Sequence, residues 1–83
     1  MKKKTFLVSL NAIDKVKSFV NVTSSFVNDF DLVSGRYVID GKSIMGIFSL
    51  DLTKNIDLIV HYEDEAEITK IADALSSFIV KEN

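Results

Sequence analysis

The chain has 83 residues, ten basic against twelve acidic side chains, a net charge of −2, and no cysteine or proline. A chain of that length makes one domain, here residues 1–83. It hides only about 60–65% of its unfolded surface, so its core is small and regular secondary structure must carry the fold. The composition excludes a disulfide framework and a thiolate metal site, and it suits a reducing compartment.

Lys2, Lys3 and Lys4 form a weak basic spot with no aromatic residues interleaved; it reads as a solvated end rather than a nucleic-acid site. Thr5 to Asn11 alternates, with Phe6, Val8 and Leu10 on one side and Thr5, Leu7 and Ser9 on the other. This predicts the first strand and separates the stretch from the unbroken apolar run of a signal peptide. No apolar run approaches a membrane span, and a cytoplasmic location is expected. Asn11 offers a helix cap, with Asp14 three residues on as the acid of a capping box. Ile13, Val16, Phe19, Val20 and Thr23 then repeat at three and four residues, predicting an amphipathic helix over residues 12–25.

Two short strands, Asp29 to Val33 and Arg36 to Asp40, flank Ser34-Gly35, where glycine can take the positive φ that a tight hairpin demands. Ser43 to Phe48 reads as a short helix, followed by a polar loop, Asp51 to Asn55, that contains Leu52. Ile56 to Tyr62 alternates again, with Ile56, Leu58, Val60 and Tyr62 sharing a face. Asp64 and Glu67 bracket the start of the last helix as a second capping box. Its stripe is Ile68, Ile71, Ala72, Leu75, Phe78 and Ile79. The order β-α-β-β-α-β-α predicts an α+β fold: an open-faced sandwich of a four-stranded sheet with the two longer helices covering one face.

No Ser-His-Asp constellation, phosphate-binding glycine-rich loop or cofactor fingerprint is legible, so neither an enzyme nor a cofactor is expected. The acidic cluster Glu63-Asp64-Glu65-Glu67 lacks the spacing of a calcium loop and is assigned to the helix start, where acids complement the dipole. No metal site is expected.

The stretch Lys42-Ser43-Ile44-Met45-Gly46-Ile47-Phe48-Ser49-Leu50 resembles the K-S-I-M-G-V-M-S-L stretch of the HPr family, the small phosphocarriers of the bacterial sugar phosphotransferase system. It differs only in Ile47 for valine and Phe48 for methionine. Weaker similarity runs along most of the chain: Lys4-Thr5-Phe6, Asp64-Glu65 and the element order. The resemblance implies an HPr-like fold, an antiparallel sheet of order 1-4-2-3 backed by helices.

One departure bears on mechanism. HPr proteins carry G-[IL]-H-A-R-P at the start of the first helix. That histidine accepts phosphate from phosphoenolpyruvate through enzyme I and passes it to a sugar-specific enzyme IIA. The corresponding stretch here, Asn11-Ala12-Ile13-Asp14-Lys15-Val16, is shorter and has no histidine, arginine or proline. The histidine position falls on Ala12 or on Asp14. Alanine has no nucleophile, and Asp14, capable in principle of forming an acyl phosphate, reads as the capping acid. Ala12, Asp14 and Lys15 therefore replace the histidine motif, and no catalytic residue is assigned. His61 reads as a surface strand histidine.

Ser43 matches the position that HPr kinase/phosphorylase modifies with ATP. It is also among the best residues for capping a helix, and the two roles are compatible. A phosphate at a helix start gains unpaired N–H donors and the dipole. By the same resemblance, Ile44, Met45, Phe48 and Leu52 form a protein-docking surface, with Ile47 and Leu50 expected in the core. Methionine adapts to several partner surfaces, and an exposed apolar patch marks an interface. Gly46 permits close approach of another backbone or fits a crowded turn. The implied partners are proteins: HPr kinase/phosphorylase, a catabolite-repression regulator, or phosphotransferase-system components. Direct nucleic-acid and membrane binding are not expected. The favoured reading is a regulatory, protein-binding HPr-like module without histidine phosphotransfer. Behind it stand an interaction or structural domain unlinked to phosphotransfer and a carrier with a non-histidine acceptor.

Overall fold

Alternating apolar side chains set the strands and a three-and-four repeat sets the helices. In the computed structural model, which describes residues 1–82, these are β1 (Lys2–Val8), α1 (Ile13–Ser24), β2 (Phe30–Ser34), β3 (Tyr37–Asp40), α2 (Ile44–Phe48), β4 (Ile56–Tyr62), α3 (Glu65–Ala74) and β5 (Ile79–Glu82). The strands form one antiparallel sheet in the order β3-β2-β4-β1-β5. The expected order 1-4-2-3 is intact, and a fifth strand is added beside β1.

That fifth strand corrects the reading of the last helix. α3 stops at Ala74, with Leu75 as its C-cap. Phe78 lies in the turn that follows, its N–H donating to Leu75 O at 2.9 Å. Ile79 begins β5 instead of ending the helical stripe. Ser76 and Ser77 are poor helix formers, while the β-branched Ile79-Val80 pair suits a strand that finds the free side of β1. The lysines of the N-terminus are likewise part of the sheet. Lys2 stands opposite Tyr62 and Lys4 opposite Val60, and Lys2 and Lys4 form surface ion pairs with Glu65 and Glu82.

The core lies between the sheet and the helices. Phe6 and Val8 of β1, Phe30 and Leu32 of β2, and Ile56, Leu58, Val60 and Tyr62 of β4 meet Val16 and Phe19 of α1 and Ile68 and Ile71 of α3. Phe19 and Phe78 pack edge to face, centroids 5.5 Å apart at 88°, the geometry that sets a ring's positive edge on a negative face. Leu7, Val33, Ile59, Asp57 and Asp31 occupy the opposite, uncovered face and are only half-buried. Gly35, with φ +60°, opens the two-residue turn between Ser34 and Tyr37. That is the position a type II′ turn reserves for glycine.

Candidate functional site

The residues singled out in the sequence fall at two places, α2 and the start of α1. The connection into α2 is held from several sides. Lys42 N–H donates to Asp40 Oδ1 at 2.9 Å, and Ser43 N–H to Asp40 O at 3.0 Å. Gly41 O receives the Thr23 hydroxyl at 2.9 Å, and Thr23 is fully buried. Lys42 Nζ reaches Phe26 O at 2.8 Å and lies 5.8 Å from the Phe30 ring centroid, a cation–π distance. Lys42 is thus a positioning residue, and its role was not legible in the sequence because its partners are distant along the chain.

Ser43 is the N-cap of α2. It is half-buried and in extended conformation (φ −99°, ψ 102°), and its Oγ accepts the Gly46 N–H at 3.2 Å. Beyond it the helix divides its apolar side chains. Ile47 is fully buried, Ile44 is half-buried against the core, Met45 is 78% exposed and Phe48 39% exposed. Leu50 and Leu52 are both half-buried and packed on the core, Leu50 less deeply than its expected core position. Gly46 approaches a side chain rather than another backbone: a Cβ there would stand 2.7 Å from Ile39 Cγ2. In the loop that follows, the Thr53 hydroxyl and then its backbone N–H donate to Asp51 Oδ1. Both favour the charged form and hold that carboxyl below its ordinary 3.8.

The start of α1 departs from the capping-box expectation. Ala12, not Asn11, is the N-cap, its backbone extended (φ −148°, ψ 147°), and no side chain caps the helix. Asn11 lies one residue too early, and Asp14 is simply an acid in the first turn, where it complements the dipole. Ile13, expected on the apolar stripe, is 63% exposed, while Val16 in the same turn is fully buried. Ala12, Asp14 and Lys15 are all exposed. Asp14 and Lys15 border a shallow hollow of about 240 Å³ with Ser18, Ser77 and Phe78.

His61 is far from both helix starts in sequence. It sits half-buried toward the uncovered face, with Nε2 2.8 Å from Asp31 Oδ2. That pairing arises between strands and left no trace in the local sequence. Among the described residues, no three His, Cys, Asp or Glu side chains come together as a metal site. No described helix is long and apolar enough to cross a membrane.

No protein-family model matches the chain, and no curated protein matches it. Solved structures do. The chain is similar to HPr-C-His from Thermoanaerobacter tengcongensis, at 28% identity over 90% of each chain with a TM-score of 0.66. It is also similar to the phosphocarrier protein HPr from Bacillus anthracis, at 25% identity over 88% of this chain and 94% of that one, with a TM-score of 0.63. The fold is HPr-like.

Proposed function

We propose that this chain is a regulatory, protein-binding HPr-like module of the cytoplasmic phosphotransferase system that does not carry phosphate on a histidine. The reading rests on the contrast between its two helix starts. The start of α1 presents Ala12, Asp14 and Lys15, a set with no imidazole to accept phosphate and no arginine to balance it. The start of α2 keeps a serine at the cap, two residues from the exposed Met45. Phosphate on Ser43 would set a dianion beside an apolar docking surface of Ile44, Met45, Phe48 and the flanking Leu52, which a partner protein can read through both charge and contact. The candidate partners are HPr kinase/phosphorylase and a catabolite-repression regulator.

The test is intact-protein mass after incubation with ATP and an HPr kinase, with Ser43→Ala as control. We expect one added phosphate in the parent chain and none in the control. No addition, or an addition that survives Ser43→Ala, overturns the reading. A gain with enzyme I and phosphoenolpyruvate, labile to hydroxylamine, would instead assign an acyl phosphate to Asp14 and make the chain a carrier.

A further inference from the structure

A sheet in the order β3-β2-β4-β1-β5 has two outer strands, and the two are built differently. β5 carries Lys81 and Glu82, shifts register against β1 between Leu7 and Val8, and is tied down through Glu82 by Lys4. Charge and irregularity are the devices that keep an edge from accepting a further strand. β3 carries a single charge, Asp40, has no lysine, proline or bulge, and pairs with β2 in unbroken register. Its Tyr37 and Val38 side chains are 68% and 65% exposed.

The hairpin also sets which main-chain groups face outward. Ser34 and Tyr37 close the turn, and the Gly41 N–H returns to Phe30 O at 2.7 Å. Residues 37, 39 and 41 therefore face β2, and Val38 turns both its N–H and its C=O to the open edge.

We propose that β3 pairs with β3 of a second copy of this chain, antiparallel, about a twofold axis at Val38. Charge selects that register. Arg36 and Asp40 stand two residues to either side of Val38. Centring the pair on Val38 sets Val38 opposite Val38 and Tyr37 opposite Ile39 of the second copy, and brings Arg36, the turn residue just before β3, to its Asp40, the last two contacts made twice by symmetry. Arg36 is the chain's only arginine and makes no ion pair among the described residues. Asp40 gives Oδ1 to the Lys42 N–H and keeps Oδ2 for a guanidinium. A slip of two residues sets Arg36 opposite Val38 or Lys42 and loses both ion pairs. On the helix side of the sheet, each Tyr37 ring lies beside an Ile39, an aromatic–β-branched pair favourable across strands.

A four-residue strand pair buries far less than the roughly 1,600 Å² of a standard interface, so the dimer is weak, with a dissociation constant on the order of 10⁻⁴ M. The inference stands apart from any role of Ser43. Sedimentation velocity on the full chain, from about 10 μM to about 2 mM, spans that range. The mean mass should rise toward the dimer. Val38→Lys opposes two ammonium groups across the axis, and Arg36→Glu sets a carboxylate against Asp40. Each should weaken association about tenfold or more, and both positions are exposed, so circular dichroism should be unchanged. Lys70→Glu, the same charge change on the exposed side of α3, should leave association as it was. A monomer at the highest concentration, or a dimer indifferent to Val38→Lys and Arg36→Glu, overturns the proposal.

Discussion

At Gly46 two effects oppose each other, and magnitudes decide between them. Helix propensity alone favours alanine over glycine by about 1 kcal/mol. A Cβ, however, would stand 2.7 Å from Ile39 Cγ2 and 3.1 Å from Ser43 Oγ. Ile39 is β-branched and on a strand, so its Cγ2 cannot swing aside freely, and Ser43 Oγ is engaged as the cap. Overpacking of this kind costs about 1–3 kcal/mol, which meets or exceeds the propensity gain. Gly46→Ala should therefore lower stability by up to about 2 kcal/mol in urea unfolding, the difference of those ranges. In an Ile39→Ala background the penalty should shrink, because only the Ser43 Oγ contact remains. A stabilising Gly46→Ala in the parent chain would mean that the turn relaxes.

The two long helices begin in different ways. At α3, Asp64 Oδ1 accepts the Glu67 N–H at 2.9 Å. Glu67 Oε1 in turn accepts from Glu63 N–H at 3.3 Å and from the Asn28 amide. The start of that helix is thus tied to the β4 exit and to the loop before β2. At α1 the extended Ala12 backbone has the conformation of a capped start, but no side chain supplies the acceptor. Ala12→Asp should therefore stabilise the protein by about 0.5–2 kcal/mol, read as a raised urea midpoint with unchanged slope. An unchanged midpoint would show that solvent already satisfies those N–H groups at no disadvantage.

Across the whole molecule, Phe78 joins parts that are far apart in the chain. It follows α3, meets Phe19 of α1 edge to face, and accepts the Ser9 N–H on its carbonyl at 2.9 Å. Removing its ring leaves a cavity where two helices and the exit of β1 meet. Phe78→Ala should cost about 3–5 kcal/mol, a large share of the roughly 5–15 kcal/mol that holds a domain together. Thermal unfolding should move down by well over about 10 °C. A shift of only a few degrees would mean that the α1–α3 contact closes over the gap.

The sequence by itself determined four of the five strands, the presence of the three helices and the site segment α2. Each is written in a few neighbouring residues: the period of two in Ile56–Tyr62, the three-and-four repeat from Val16 to Thr23, glycine at the hairpin turn, and serine before Ile44-Met45-Gly46. Local backbone preference and side-chain direction require nothing from the rest of the chain. Only the tertiary structure decided that Ile79 belongs to a strand, since Leu75, Phe78 and Ile79 also fit a helical stripe and the free side of β1 settles the matter. It alone turned Ile13 out of the apolar stripe, brought Asp31 to His61, and set Ile39 against Gly46. Those outcomes depend on which surfaces meet, and a local pattern does not specify that, whether the partners are seven residues apart, as Ile39 and Gly46 are, or thirty, as Asp31 and His61 are.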